Sequence, residues 1–145
     1  MAKVRDILTR KGSAVHMVSA GTTVLEATQR MNAERLGSLV VTEGEQIVGM
    51  FTERDVLRRV VAEQRPPAQT LVRDVMTREV LCCSPGALIE DASRVMKDHR
   101  VRHLPVCTED GTLLGLISIG DLNAYHSSDN EAEISFLHDY LYGRV

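Results

Sequence analysis

Two short segments of the sequence carry the same residue types at the same spacing. They are Gly49-x-x-Thr52-x-x-Asp55 and Gly115-x-x-Ser118-x-x-Asp121. A hydroxyl residue followed three positions later by a carboxylate is typical of a capping box, in which the two side chains accept hydrogen bonds from free backbone N–H groups at the start of a helix. For either segment alone, a helix cap without a ligand is the simpler interpretation.

The same residues also suit a bound sugar phosphate. The N-terminus of a helix presents free N–H groups and the positive end of the helix dipole, so it favours phosphate. Thr52 or Ser118 adds a hydroxyl donor, and Asp55 or Asp121 can accept hydrogen bonds from the vicinal hydroxyls of a ribose. The glycine leaves room for close approach of a ligand or of backbone. Capping and ligand binding can coexist, because an empty site still needs its helix capped.

The two motifs belong to an internal repeat that spans most of the chain. Residues 19–41 align without gaps on residues 84–106 with seven identities, residues 4–8 match 72–76, and residues 49–55 match 115–121. The offset between the copies changes from 68 to 65 to 66 residues. The first copy therefore holds three extra residues near positions 11–13 and the second copy one extra residue near 109–111, and we expect a turn at each place.

Periodicity predicts the same order of elements, βαββα, in each copy. The first copy reads as a strand at 15–18, a helix carrying Val24, Ala27, Thr28 and Met31, a hairpin of strands 37–42 and 47–51, and a helix opened by Thr52. The second copy reads as a strand at 80–83, a helix at 87–99, a hairpin turning at Asp110-Gly111, and a helix from Ser118. One copy of about 60 residues buries little apolar surface alone, so we expect the two to pack together across a pseudo-twofold axis.

These observations divide the chain into four parts. They are a first repeat at 4–63, a linker at 64–71 that contains Pro66-Pro67, a second repeat at 72–125, and an amphipathic helical tail at 126–145. Four of the five aromatic residues lie in the last 21 positions. A tail packed on its own domain and a tail that forms an oligomer contact both explain this concentration.

The repeated βαββα order, the paired motifs, the matched Ser-x-Gly helix starts and the stretch Arg102-His103-Leu104-Pro105-Val106 together resemble a cystathionine-β-synthase (CBS) domain pair, or Bateman module. The resemblance covers about 120 of the 145 residues. It implies a mixed α+β fold in which two CBS units pack about a pseudo-twofold axis. It also implies adenosyl ligands bound in two clefts between the sheets, and association into a homodimer.

The resemblance implies a nucleotide site of twelve residues. Asp55 and Asp121 would bind ribose hydroxyls, and Thr52 and Ser118 would bind phosphate or ribose oxygens. Gly37, Ser38, Leu39, Arg102, His103 and Leu104 would line the adenine, Arg54 and Arg102 would reach phosphate, and Gly120 lies inside the second motif. The first motif contains Glu53-Arg54 where the second contains Ile119-Gly120. Because the two motifs differ in charge, the two sites need not bind a nucleotide equally well.

Composition narrows the function further. A formal net charge of −3 disfavours nucleic-acid binding. No segment approaches the roughly 20 apolar residues that span a membrane, and no signal peptide is apparent, so we expect a cytoplasmic protein. Cys82 and Cys83 point to opposite faces of the predicted strand, and reduced structural thiols are the expectation for all three cysteines. No metal site and no activated nucleophile is evident, so we expect no enzyme activity.

The sequence therefore predicts a regulatory sensor that binds an adenine nucleotide and changes its contacts with a protein partner, which the sequence does not identify. AMP or NAD is preferred, ADP and ATP remain candidates, and S-adenosylmethionine is less favoured because no residue is evident for its sulfonium. The alternative is a ligand-free scaffold protein that docks a partner through its aromatic C-terminal helix. In that case the two motifs are only helix caps.

Overall fold

The computed structural model describes residues 1–129, in which helices and two small sheets form a mixed α+β fold as expected. The first repeat contains α1 (Val4–Lys11), β1 (Met17–Ser19), α2 (Val24–Glu34), β2 (Ser38–Glu43), β3 (Gln46–Thr52), the single turn α3 (Glu53–Asp55) and a π-helix (Val56–Val61). The second contains α4 (Val72–Val75), α5 (Ile89–His99), β4 (His103–Cys107), β5 (Leu113–Ser118) and α6 (Ile119–Asp129). No helix among these residues is long and apolar enough to cross a membrane.

The helices α2 and α5 show how closely the two repeats correspond. Each buries three apolar residues at matched positions, namely Val24, Ala27 and Met31 in α2 and Ile89, Ala92 and Met96 in α5. Each also ends at an arginine in the left-handed conformation, Arg35 with φ 56° and Arg100 with φ 55°. The helical spacing read from the sequence is therefore confirmed in both repeats.

The first sheet has the order β1-β2-β3, with β1 parallel and β3 antiparallel to β2. Its hairpin turns at Gly44, which has a φ of 61° that favours glycine. The first strand begins at Met17, two residues later than predicted, and pairs with residues 40–42. The N–H of Val40 also donates to the carbonyl of His16 and extends this parallel ladder.

The second sheet contains only β4 and β5, so the predicted strand at 80–83 is wrong. This segment makes a single parallel bridge, between Cys83 and Val106. The physical reason is proline at two ladder positions. Pro105 corresponds to Val40 and has no N–H to donate, and Pro85 likewise corresponds to Ala20, whose N–H donates to Thr42 in the first sheet.

Two hydrophobic cores form, and each includes the first helix of the other repeat. Val72, Val75 and Met76, from the start of the second repeat, pack into the core around Leu39 and Phe51. In the same way α1 contributes apolar residues to the core that contains Leu104 and Ile117; those residues are Val4 and Ile7. This exchange of helices ties the two repeats into one body.

The isolated backbone bridges between the repeats follow a pseudo-twofold relation. Residues Lys3 and Leu88 form one bridge, and Thr23 and Leu71 form another. At the sequence offsets of 68 and 65 residues, Lys3 corresponds to Leu71 and Thr23 to Leu88, so each bridge is the symmetry mate of the other. Gln46 pairs with Thr112, its own counterpart at the offset of 66, so this bridge lies on the pseudo-twofold axis.

The two exchanged helices differ in length. Helix α1 runs for eight residues and ends at Lys11, whereas α4 has four residues and ends at Val75. The three extra residues of the first repeat were expected in a turn. Lys11, the first of them, is the last residue of α1, and the chain turns directly after it, at Gly12 with a φ of 94°.

The last helix of each repeat also departs from expectation. After Asp55 the backbone widens into the π-helix, which buries Val60 but leaves Leu57 63% exposed. In the second repeat α6 continues to Asp129, into the stretch expected to be tail. The rest of the predicted amphipathic tail, from residue 130 onward, lies outside the described residues.

Candidate functional site

Both motifs form the predicted capping boxes. In the first, the N–H of Thr52 donates to Oδ2 of Asp55 at 3.0 Å and the N–H of Asp55 donates to Oγ1 of Thr52 at 3.3 Å. In the second, the N–H of Ser118 donates to Oδ2 of Asp121 at 2.8 Å and the N–H of Asp121 donates to the Ser118 hydroxyl at 3.0 Å. The two caps are alike, so any difference in ligand binding must come from what surrounds the carboxylates.

The carboxylate of Asp55 is enclosed by protein. The residue is only 4% exposed, and the Thr52 hydroxyl adds a second hydrogen bond to Oδ2 at 3.2 Å. The other oxygen, Oδ1, accepts a hydrogen bond from the Thr77 hydroxyl at 3.0 Å and lies 3.8 Å from Nε of Arg59. Thr77 is held there by two backbone hydrogen bonds with Met50. Both oxygens of Asp55 are therefore occupied by groups of the protein.

The carboxylate of Asp121 is more open. Its side chain is 22% exposed, and Oδ2 also accepts a hydrogen bond from Nζ of Lys11 at 2.7 Å. Within residues 1–129, no hydrogen bond to its second oxygen, Oδ1, is observed. Partial burial raises the pKa of this carboxyl, but the hydrogen bonds from Lys11 and from the N–H of Ser118 outweigh that effect and lower the pKa below its usual value. Asp121 therefore stays ionised at neutral pH with one acceptor oxygen available.

Each motif glycine gives room to the exchanged helix of the other repeat. A methyl group on Gly49 would approach Sδ of Met76 to 2.7 Å and the carbonyl oxygen of Thr77 to 2.8 Å. A methyl group on Gly115 would approach Cδ2 of Leu8 to 2.6 Å. Leu8 and Met76 are matched positions in the two copies. The sequence left open whether these glycines make room for a ligand or for protein, and the structure shows a protein side chain at both.

A cavity of about 190 Å³ lies between the repeats on the Asp121 side. The first repeat supplies Lys11, Ala14, Val15, His16, Leu36, Gly37 and Ser38, and the second supplies His103, Leu116 and Ser118. Four predicted site residues, Gly37, Ser38, His103 and Ser118, thus meet in one place although they come from both repeats. The cavity combines hydroxyls, apolar side chains and three nitrogen-bearing side chains.

His103 is half-buried in the wall of this cavity. Burial is the main cause that lowers its pKa, and the positive charges of Lys11 and Arg102 lower it further, while the carboxylate of Asp121 acts in the opposite direction. The imidazole is therefore neutral at pH 7. It can donate one hydrogen bond and accept another, and Lys11 supplies the ammonium group among the residues that line the cavity.

Several other predicted residues lie outside this cavity. Leu39 and Leu104 are fully buried, one in each hydrophobic core, so they support the wall without lining it. Arg54, Arg102 and Gly120 are exposed and are not among the cavity-lining residues. Asp55 hydrogen-bonds to Thr77, away from this cavity. Asp121 is not itself a lining residue, but Lys11 and Ser118, which both donate hydrogen bonds to it, are.

A larger groove of about 460 Å³ lies on the first repeat alone, between α2 and the start of the last helix. It is lined by Thr28, Met31, Asn32, Arg35, Leu36, Gly37, Glu53 and Val56. Leu36 and Gly37 separate this groove from the cavity beside Asp121, since they line both. Gly37 is the one predicted site residue among those that line this groove, and neither Thr52 nor Asp55 lines it.

Lys11, which contacts Asp121 directly, was not predicted from the sequence. The one available signal was the three-residue excess of the first repeat, which falls at Lys11. His16 also lines the cavity, and its Nδ1 lies 3.5 Å from Oε2 of Glu34. Neither contribution could be read from a motif, because both depend on how the two repeats pack.

Comparison with known proteins supports the resemblance noted in the sequence. The model of the CBS domain family matches residues 4–62 and residues 72–127. The curated CBS domain-containing protein YhcV of Bacillus subtilis is 34% identical over 132 residues, which cover 91% of each chain. The mitochondrial CBS domain-containing protein CBSX3 of Arabidopsis thaliana is 32% identical over 149 aligned positions, covering 97% of this chain and 72% of that protein.

Solved structures agree with the fold. A protein with CBS domains from Burkholderia ambifaria superposes with a TM-score of 0.83 at 37% identity, covering 88% of this chain and 96% of that one. The CBS-domain containing protein ATU1752 of Agrobacterium tumefaciens gives a TM-score of 0.78 at 34% identity, covering 86% and 98%. Both likenesses extend over nearly the whole of the other chain.

Proposed function

Since the chain belongs to the CBS domain family, we propose that it is a non-catalytic regulatory module that binds one adenine nucleotide in the cavity beside Asp121. Proteins built from a CBS pair are generally regulatory, ligand-binding modules. The observation that carries the proposal for this chain is the meeting of Gly37, Ser38, His103 and Ser118 in one cavity next to an ionised carboxylate.

The proposed contacts follow from the chemistry of the cavity. The available Oδ1 of Asp121 would accept hydrogen bonds from the ribose hydroxyls, as a carboxylate does well. The Ser118 hydroxyl and the N-terminal end of α6 would face the phosphate, where the helix dipole favours negative charge. The base would lie against Gly37, Ser38 and the neutral imidazole of His103.

Binding would change the contacts of Lys11. The cavity of about 190 Å³ is smaller than the roughly 300 Å³ at which small-molecule sites begin, so a nucleotide must widen it. We propose that the ammonium group of Lys11 moves from Asp121 to the phosphate, which leaves the whole carboxylate to the ribose. Because α1 packs in the core of the second repeat but is joined to the first, this movement would alter how the repeats pack and so bias contacts with a protein partner.

We propose a single occupied site for each chain. The carboxylate that would serve the other cleft, Asp55, already has both oxygens engaged by Thr52, Thr77 and the nearby Arg59. A ribose would have to displace these groups from a residue that is only 4% exposed. Replacing buried hydrogen bonds in this way is costly.

The ligand itself is proposed from residue chemistry and family resemblance. AMP and NAD are preferred because Lys11 is the one ammonium group among the cavity-lining residues, which suits few phosphate charges; ADP and ATP are also candidates. S-adenosylmethionine is less favoured. The free thiols of Cys82, Cys83 and Cys107 are those expected in a reducing compartment, in line with the proposed cytoplasmic location.

A ligand screen tests the proposal. Thermal unfolding should be recorded with AMP, ADP, ATP, NAD and S-adenosylmethionine at about 1 mM each, followed by calorimetry with any compound that stabilises the chain. A ligand with micromolar affinity at this concentration stabilises the folded state by roughly 4 kcal/mol and raises the unfolding temperature by several degrees. If none of the five compounds raises it, the proposal fails and the ligand-free scaffold is favoured.

We also propose self-association into a homodimer. Leu57 and Val61 lie four residues apart on the π-helix and are 63% and 62% exposed, so a second chain would bury apolar surface by covering them. One solved CBS protein from a cyanobacterium, the CBS-CP12 protein, is hexameric, at 26% identity and a TM-score of 0.71. Sedimentation analysis should show a dimer that Leu57→Ser dissociates; a wild-type monomer at all concentrations would contradict this.

A further inference from the structure

Two of the three thiols lie in contact on neighbouring strand segments. The S–H of Cys107 points to Sγ of Cys82, and the two sulfur atoms are 3.2 Å apart. They are separated by 25 positions in the sequence. A disulfide bond has a sulfur–sulfur distance of about 2.05 Å, so a shift of roughly 1 Å would join them.

The backbone explains why these two cysteines meet. The N–H of Cys83 donates to the carbonyl of Pro105, and the N–H of Cys107 donates to the carbonyl of Cys83. This pattern sets Cys83 beside Val106 and leaves Cys82 and Cys107 on the same face, since side chains alternate along a strand. Cys83 instead packs against the core of the second repeat. The expectation that Cys82 and Cys83 point to opposite faces is thus confirmed.

The three thiols differ in accessibility and acidity. Cys82 is exposed, Cys83 is half-buried and Cys107 is buried. Burial raises the pKa of Cys83 to about 11, and burial together with the hydrogen bond to Cys82 raises the pKa of Cys107 to about 12. A buried thiol that is protonated at neutral pH reacts slowly with oxidants, because the thiolate is the reactive form. The exposed Cys82 is therefore the first site at which a soluble oxidant can react.

We propose that Cys82 and Cys107 form a reversible disulfide when the protein meets a peroxide, so that this edge of the second repeat is a redox modification site. The Cys82 thiolate attacks hydrogen peroxide, breaks the O–O bond and becomes a sulfenic acid, with hydroxide as the leaving group. The sulfur of Cys107 then attacks the sulfur of Cys82, its proton passes to the departing hydroxyl, and water leaves. Two thiols and one peroxide give one disulfide and two molecules of water.

The bond would stabilise a weakly held segment. The strand predicted at 80–83 is reduced to one bridge by Pro85 and Pro105, so few hydrogen bonds fix it to β4. A covalent link between Cys82 and Cys107 would hold this segment to β4 in place of the missing backbone hydrogen bonds. The same segment leads into the residues that hold α1, since the N–H groups of Val4 and Arg5 donate to the carbonyls of Ala87 and Pro85. Disulfide formation at this edge does not require a bound nucleotide.

Peroxide treatment of the full chain tests the proposal. The reduced protein, at low micromolar concentration, is treated with hydrogen peroxide, blocked with N-ethylmaleimide under denaturing conditions, and analysed by mass spectrometry with and without reductant. We expect a loss of two of the three free thiols, recovery of both with dithiothreitol, and a rise of several degrees in the unfolding temperature of the oxidised chain.

Three variants identify the pair. Trypsin releases Cys82 and Cys83 together in the peptide 79–94 and Cys107 in a peptide that begins at residue 103, so the wild-type peptide pair alone does not tell Cys82 from Cys83. Cys83→Ser is the matched control and should form the linked peptides as the wild type does. Cys82→Ser, at an exposed position, should form none, and Cys107→Ser should leave a sulfenic acid on Cys82 that dimedone traps.

Three results would overturn the inference. They are retention of all three thiols in the wild type, linked peptides that persist in Cys82→Ser, and a disulfide found only between two chains. Each of them would leave the proposed nucleotide binding intact, because no cysteine lines the cavity beside Asp121.

Discussion

Nζ of Lys11 lies 2.7 Å from Oδ2 of Asp121, although the two residues are 110 positions apart in the sequence. At the matched place in the other half, the hydroxyl of Thr77 lies 3.0 Å from Oδ1 of Asp55. The carboxylate of the duplicated motif therefore accepts a hydrogen bond from an ammonium group in one copy and from a neutral hydroxyl in the other, where Arg59 lies 3.8 Å away. The difference arises from the exchanged helices, since α1 is one turn longer than α4.

Lys11→Met should change which ligands the protein prefers. The variant loses the cation that would bind phosphate, so affinity for AMP should fall about tenfold, the loss of one partly exposed charge-assisted hydrogen bond. Affinity for adenosine, which has no phosphate, should stay the same or rise slightly because Asp121 is released. Calorimetry with both ligands measures the ratio of the affinities for AMP and adenosine. The control is Lys97→Met, which removes an exposed lysine on α5. An equal change for AMP and adenosine would show that Lys11 does not contact phosphate.

Asp55→Ala should destabilise the fold more than Asp121→Ala. The first change removes a helix cap and leaves the half-buried Thr52 and Thr77 hydroxyls without their acceptor, at a cost of about 2–4 kcal/mol. The second removes a cap that is partly exposed to solvent, at about 1 kcal/mol. Urea unfolding of both variants measures the difference. Equal losses would mean that Asp55 is not as enclosed as its contacts indicate.

Gly49→Ala should destabilise the protein more than Gly115→Ala. A methyl group at Gly49 meets the backbone carbonyl of Thr77 at 2.8 Å, and this carbonyl cannot move without disturbing its hydrogen bond from the N–H of Met50 in β3. The clash at Gly115 involves only the flexible side chain of Leu8. Overpacking of this kind costs about 1–3 kcal/mol. Adding Leu8→Ala should relieve the clash at Gly115, so a double-mutant cycle should give a favourable coupling free energy. Strict additivity in that cycle would contradict the packing described above.

The stability of the protein should fall as the pH drops below about 6.5. The pKa of His103 is lower in the folded protein than its ordinary value of 6.5, so the unfolded chain binds more protons in that range. A second loss should follow below pH 3.8 as Asp121, whose pKa is also lowered, is protonated in the folded state. Urea unfolding at pH 5 to 8 should show the first effect, and His103→Gln should flatten it. An unchanged slope in His103→Gln would assign the effect to another group.

Much of the fold could be predicted because the same pattern of residue types occurs in both repeats. The apolar spacing of α2 and α5, the hairpin turns at Gly44 and Gly111, and the caps at Thr52 and Ser118 all follow from local patterns. The prediction of a strand at 80–83 was wrong for a reason that is present in the sequence. Pro85 and Pro105 each remove one ladder hydrogen bond, but this becomes apparent only when the partner strand is known.

The candidate site was less predictable, because its residues come from both repeats. Ser118 and His103 were found from motifs, whereas Lys11 depends on the length of a helix packed against the other repeat. Leu39 and Leu104 were expected along the adenine, yet the alternation of each strand turns them into a core. The local sequence thus predicts both helix caps. Which carboxylate is open to a ligand, Asp121, and which is enclosed by protein, Asp55, depends on how the two repeats pack.

The most direct test of the proposed single site is calorimetric titration of the wild type, Asp121→Asn and Asp55→Asn with the nucleotide that the ligand screen identifies. We expect one bound nucleotide per chain in the wild type, affinity weakened about 10- to 100-fold in Asp121→Asn, and wild-type affinity and stoichiometry in Asp55→Asn. Two nucleotides bound per chain, or unchanged binding in Asp121→Asn, would contradict the account.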